Sequence, residues 1–134
     1  MTVKMAAEGS YLADTAVLLI AHGSRYESGN EDTRALAAEI VRRGSFRIAV
    51  AAFLEIAAPD IDAGAAECVR HGASRVIMLP HFLSAGMHVR DDLLAAKQRL
   101  EARFPEINFR LAVPVGQHPL MLDLLIDRAY ETIR

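Results

Sequence analysis

The feature that most constrains this chain is an alternation of two kinds of segment. Four apolar runs of strand length, Ala16–Ala21, Arg47–Leu54, Arg75–Leu79 and Asn108–Val113, each precede a longer stretch with apolar residues at helical spacing. Those stretches are roughly Gly29–Arg43, Asp60–His71, Val89–Phe104 and Pro119–Ile133. The first and third runs are continuously apolar, as strands covered on both faces are, and right-handed crossovers between them produce a parallel sheet. The expected fold is α/β: a small, doubly wound, mainly parallel four-stranded sheet with helices on both faces, flavodoxin-like in its βα alternation. Helix ends carry their own signals. Gly44 and Gly72 stand at C′-like positions, Pro105 follows the third helix, and Pro59 and Pro119 stand where a helix begins. In the first helix Leu36, Ile40 and Val41 form the expected buried stripe, with Glu31, Arg34 and Glu39 facing out.

At 134 residues and 52% hydrophobic, the chain is long enough for one core and too short for two ordinary domains. Residues 1–14 show no sustained period and are expected to be a loose lead-in to a single domain spanning 15–134. Fifteen Lys and Arg against 17 Asp and Glu, a net charge of −2, supply no overall basic field for nucleic acid or anionic lipid, so an anionic ligand must be met by a local cluster. The apolar run Ala16–Ala21 is far shorter than the roughly 20 residues of a membrane span. Cys68, the single cysteine, has no intrachain partner and sits on a helix face, where it is expected to be a small core residue. A reducing, cytoplasmic setting is the expectation.

In open α/β sheets ligands bind beyond the carboxyl ends of the strands. There the sequence places His22-Gly23-Ser24-Arg25, then Glu55 and Ala58-Pro59-Asp60, then Pro80 to Asp91 with His81, Ser84 and His88, and finally Pro114 to Pro119 with His118. Four of the five histidines thus gather on one sheet edge. A single histidine in such a loop is more often a hydrogen-bonded or capping group than a ligand, but four from separate loops point to a metal, because neutral imidazole is the commonest protein metal ligand. Glu55 is a possible fifth donor. The fifth histidine, His71, falls at a helix carboxyl end, where a cation is favoured, and is left out of the site; Arg42, Arg43 and Arg70 have the same explanation. Arg25 and the glycine turn suit an anion. Neither GxGxxG nor GxxxxGK(S/T) occurs, so nucleotide binding lacks its mechanical parts, and the arginine that a histidine phosphatase wants before its histidine is Ala21 here.

Four segments taken together, Leu18-Leu19-Ile20-Ala21-His22-Gly23-Ser24-Arg25, Ala52-Phe53-Leu54-Glu55-Ile56-Ala57-Ala58-Pro59, Leu79 to Asp92 and Val113 to Leu120, resemble the short CbiX-type sirohydrochlorin chelatases. The resemblance runs from about Val17 to Tyr130. It implies a chelatase-like fold and a class II chelatase activity: insertion of Co²⁺, or of Fe²⁺ or Ni²⁺, into sirohydrochlorin or a related tetrapyrrole without ATP. By motif position it implies His22 and His88 as catalytic metal-binding histidines and Glu55 as their assistant. His81 departs from the family pattern, and whether it or His118 takes part stays open. Metallation must strip water from the ion, bend the macrocycle and remove two pyrrole protons. Exchangeable imidazole ligands and a carboxylate base suit those demands. Ser24, Arg25, Ser84, Arg90 and the amino terminus of the third helix are the expected anchors for the carboxylates of the tetrapyrrole. The longer members resemble two such units fused, which implies that a short chain pairs with itself as a homodimer around a shared cleft. Two other readings compete: a carrier that binds metal or tetrapyrrole without turnover, and an anion-binding phosphotransfer domain, weakened by Ala21.

Overall fold

The computed structural model describes residues 12–134. Strands β1 (Leu12–Ala21), β2 (Phe46–Phe53), β3 (Arg75–Pro80) and β4 (Asn108–Leu111) form one parallel sheet in the order β2-β1-β3-β4. Helices α1 (Glu27–Gly44), α2 (Ile61–Arg70), α3 (Met87–Arg103) and α4 (Pro119–Glu131) follow the strands in turn, the last after a single 3₁₀ turn, Val115–Gln117. The expected alternation and sheet are therefore present. β1 lies centrally, pairing residue for residue with β2 (Val17 with Ala49, Ala21 with Phe53) and β3 (Leu18 with Met78).

Alternate residues of the buried strands face two separate cores. Ala16, Leu18, Ile20, Val76, Met78 and Phe109 pack under α2 and α3 with Cys68, Leu93, Ala96 and Leu100. Leu19, Ala21, Ala51 and Phe53 pack under α1, against Ala37 and Ile40. Cys68 is fully buried, and desolvation pushes its thiol up to about 12, as befits a core residue rather than a nucleophile. The close approach of α2 to the sheet depends on Gly64, where a Cβ would meet Leu18 and Ala52 at 2.9 and 3.0 Å.

Several local expectations are corrected. Leu12–Asp14, assigned to the lead-in, extend β1 past a register shift, and the Leu12 N–H donates to the Ser45 carbonyl at 2.8 Å. Residues 1–11 of that lead-in lie outside the described residues. The buried face of α1 is Asn30, Thr33 and Ala37, with Leu36 exposed, because small residues let the helix sit close to the sheet while the stripe drawn through Leu36 lies a step round the helix. Gly44 is the last helical residue of α1; Ser45, at φ 59°, takes the left-handed cap expected of that glycine. Pro59 precedes α2 through a cis Ala58–Pro59 bond, and Asp60 is the cap, accepting from the Ala63 N–H at 2.8 Å. Pro119 does open α4, Gly72 does follow α2 at φ 93°, and β4 stops at Leu111, short of Val113.

The last helix differs from the others. No residue of α4 is buried, and its only substantial packing among the described residues is on the 3₁₀ turn before it. Among those residues no helix is long and apolar enough to cross a membrane.

Candidate active site

Where β1 ends, the chain leaves a buried apolar strand through His22-Gly23-Ser24-Arg25 and must turn sharply beside the exit of β2. Gly23 makes the turn at φ 97°, and a Cβ there would stand 1.9 Å from the Glu55 carbonyl oxygen. Only glycine allows both the conformation and the approach. Two further bonds tie the strand exits: the Leu54 N–H donates to the Ala21 carbonyl at 2.9 Å and the Glu55 N–H to the His22 carbonyl at 3.1 Å. Immediately beyond, the Ala57 N–H donates to the Glu55 carbonyl at 2.8 Å in a tight turn about Ile56, whose φ of 74° is unusual for a β-branched residue. His22 and Glu55 are thus neighbours by main-chain geometry.

The other flank of the turn is held by Asn30, whose buried amide makes reciprocal bonds with the backbone of Ser24. The Ser24 N–H donates to Asn30 Oδ1 and Asn30 Nδ2 donates to the Ser24 carbonyl, both at 2.9 Å. Nδ2 also reaches Glu27 Oε2 at 3.2 Å, and the Tyr26 N–H donates to Ser24 Oγ at 3.0 Å. The Arg34 guanidinium bonded to Glu27, with help from Asn30, holds that carboxyl below its ordinary value. Asn30 is a positioning residue that the sequence reading missed: a polar residue next to the expected helix start at Gly29, it gave no sign of being buried.

β3 delivers the facing wall. The His81 N–H donates to the Ile20 carbonyl at 2.7 Å, carrying the β1–β3 ladder one residue beyond the strand. Phe82, half-buried against the larger core, then sets its ring 4.8 Å from that of His22, tilted by 39°. Phe82 thus forms the apolar part of this wall, with Leu83 exposed. Ser84 and Arg25 are exposed at the same edge. His88 and Arg90 project from the first turn of α3, one step later than the loop assigned to His88, and are exposed as well. That turn contains no acidic residue and its cap, Gly86, has no side chain, so its first N–H groups have no side-chain acceptor. His118 caps α4, its Nδ1 accepting from the Leu120 N–H at 3.1 Å. His71 caps the carboxyl end of α2, its Nδ1 2.9 Å from the Glu67 carbonyl, as its position in the sequence implied.

His22 and Glu55 line one cleft of about 520 Å³ that runs between α2 and α3, with Asp60, Asp62, Asp92 and Arg99 farther along its walls. Arg99 Nη2 and Asp62 Oδ1, 3.1 Å apart, bridge the two helices. The sequence reading missed this pair, since nothing in the spacing of residues 37 apart brings them together. His88 does not line the cleft; its neighbour Val89 does. Among the described residues no three His, Cys, Asp or Glu side chains converge into a metal-binding group, so the two histidines and Glu55 share an edge without forming a closed cage.

The CbiX family model matches residues 16–132. The chain belongs to the CbiX family. This CbiX chain is 30% identical over 132 residues to a sirohydrochlorin ferrochelatase of Priestia megaterium, covering 98% of this chain and 49% of that protein. It is 27% identical over 125 residues to a sirohydrochlorin cobaltochelatase of Methanococcoides burtonii, covering 87% of this chain and 95% of the other. A crystal structure of a putative cobalamin (vitamin B12) biosynthesis CbiX protein from Marinobacter aquaeolei VT8 shares the fold at TM-score 0.76 and 32% identity, over 89% of this chain and 97% of that one. The CbiX chain therefore spans about half the length of some relatives, 49% of the Priestia protein, and nearly all of others.

Proposed function

We propose that this CbiX chain inserts a divalent metal ion into sirohydrochlorin or a closely related tetrapyrrole, with Co²⁺ as the first candidate and Fe²⁺ and Ni²⁺ as the others. The observation that carries the reading is the juxtaposition of His22 and Glu55 at the strand exits: an exposed imidazole against the Phe82 ring on a fixed glycine turn, its main chain bonded to that of Glu55, with both residues lining one cleft. Membership of a family whose named relatives act on sirohydrochlorin supports it.

Each residue has a part in this reading. His22 and His88 hold the incoming ion loosely, and an open site with few protein ligands leaves most of its coordination sphere to water and then to the pyrrole nitrogens. Glu55 accepts one pyrrole proton and water the other as the dication enters, so that both displaced protons leave the macrocycle. Arg25, Arg90, Ser24, Ser84 and the free N–H groups at the start of α3 take the carboxylates fringing the macrocycle. No step needs a nucleotide. The single buried Cys68 agrees with a reducing, cytoplasmic setting.

The active unit in this reading is a homodimer. The match covers 49% of the Priestia protein, and two copies of this unit would bring two sets of His22 and His88 to a shared cleft. The test is anaerobic incubation with sirohydrochlorin and each of Co²⁺, Fe²⁺ and Ni²⁺, following the absorption spectrum of the macrocycle against an enzyme-free control. Catalysed metallation is expected. Tight metal binding without any rate enhancement would turn the protein into a carrier. Specific activity that falls on dilution in step with dissociation, measured by light scattering, supports the paired unit; undiminished activity of a monomer overturns it.

A further inference from the structure

Outside α4 and its carboxyl end, seven large apolar side chains are exposed among the described residues. Five of them stand between the end of a strand and the first residue of the helix that follows: Tyr26 after β1, Ile56 after β2, Leu83 and Met87 after β3, and Val113 after β4. In a parallel sheet those segments share one edge, the edge that carries His22 and Glu55. Exposed apolar residues gathered around a polar site suit a ligand with an apolar face. Arg25 and Arg90 stand exposed at the same edge and suit a ligand with anionic margins.

One of the five is held against the preference of its own backbone. The bond from the Ala57 N–H to the Glu55 carbonyl closes a γ-turn with Ile56 at its centre, at φ 74°. That form of the γ-turn is rare and strained, and a β-branched side chain suits it least. The turn itself has a structural purpose: it brings the Glu55 carbonyl and the Ala57 N–H against Gly23, where a Cβ would stand 1.9 Å from the oxygen and 3.5 Å from the nitrogen. The isoleucine side chain has no such purpose. Leu54 packs against the larger core and Ala57 against the smaller, whereas Ile56 belongs to neither, does not line the cleft between α2 and α3, and is 59% exposed. Glycine or asparagine would make the same turn with less strain. A strained side chain with no burial to offset it in the free protein points to a contact made with the ligand.

We propose that Ile56 is a substrate-contact residue: its side chain meets the face of the tetrapyrrole macrocycle and sets the position of the ring over His22 and Glu55. This rests on the reading under Proposed function and adds a contact that neither the histidines nor the arginines supply. Charged groups hold the carboxylates at the margin of a flat ring and leave its height and tilt free. An apolar side chain fixes both when its main chain is itself tied to the histidine turn, as that of Ile56 is through the bond from the Glu55 N–H to the His22 carbonyl.

The test compares the full chain with its Ile56→Gly, Ile56→Asn and Ile56→Leu variants, measuring the thermal midpoint without ligand and, by anaerobic equilibrium dialysis, the Kd for metal-free sirohydrochlorin. In the Gly and Asn variants the midpoint is expected to equal or exceed that of wild type, because the turn is relieved, while the Kd rises about 5–20-fold with the loss of the apolar contact. Ile56→Leu keeps an apolar side chain and is expected to stay within about twofold of the wild-type Kd. An unchanged Kd in the Gly and Asn variants removes Ile56 from the ring, and a midpoint that falls together with affinity makes its role structural; either result overturns the proposal. A wild-type chain that binds no sirohydrochlorin overturns the reading of its function and this contact with it. Binding and metallation by wild type with indifferent variants leave that reading standing and remove Ile56 alone.

Discussion

The two halves of the sheet are built to different degrees of completeness. At the β1–β2 half both faces carry helices, the strand exits are cross-linked by main-chain bonds, and the turn bearing His22 is clamped by Gly23 and Asn30. At the β3–β4 half, among the described residues, one face lacks a helix and α4 extends without a buried residue. Rigidity is thus concentrated at the turn that carries His22 beside the exit of β2, while apolar surface is left exposed at the other half of the sheet.

The sharpest way to break this contrast is at its most constrained point. Gly23→Ala must relieve a 1.9 Å approach to the Glu55 carbonyl at a positive φ, and is expected to cost about 2–4 kcal/mol and most of the activity, visible as a lower thermal midpoint and lost metallation. A melt and a rate equal to wild type would show that the turn is not a clamp. His22→Ala and His88→Ala are expected to lower metal insertion by about 100-fold or more while leaving the circular dichroism spectrum and melt unchanged, since both side chains are exposed. Wild-type turnover in either would remove that histidine from the metal.

Glu55→Gln keeps shape and hydrogen-bonding capacity but no base, so the expectation is a fall of at least about 10-fold in kcat with little change in KM. Equal losses in both would make Glu55 an anchor. Asn30→Ala leaves the Ser24 N–H and carbonyl without their partner and is expected to cost about 1–3 kcal/mol, with a partial loss of activity that Asn30→Asp, keeping only the acceptor, restores in part. The smallest effect concerns acid. Glu27, held below its ordinary 4.5 by Arg34, contributes stability that is present at neutral pH and fades as pH falls through its lowered folded value. Glu27→Gln should therefore flatten the acid limb of a stability-against-pH curve slightly, and an unchanged limb would show that the exposed pair contributes nothing.

The contrast also explains what could be read in the sequence. Elements defined by their own residues were legible: the apolar run of β1, the periodic helices, and the polar segments that follow each strand. The glycine of the HGSR turn was visible as a turn, but its close approach to Glu55 is a contact between two loops. What depended on packing was hidden. The buried face of α1 is chosen by how near the helix can come to the sheet, so Ala37 is buried and Leu36 is not. The salt bridge of Arg99 with Asp62 joins two helices, and the separation of α4 from the sheet cannot be foretold from an amphipathic pattern that looks the same whether or not a partner is present.

One detail of the clamp bears on how such a site evolves. Glu55 receives the turn through its main-chain N–H and carbonyl, and its carboxylate takes no part in that fastening. The side chain at position 55 can therefore be exchanged without disturbing the seat of His22. Under the proposed function, proton acceptor and metal ligand are then separately variable characters, open to drift or selection one at a time. A saturation library at this one position, screened against several metals, would explore new preferences on an unaltered scaffold.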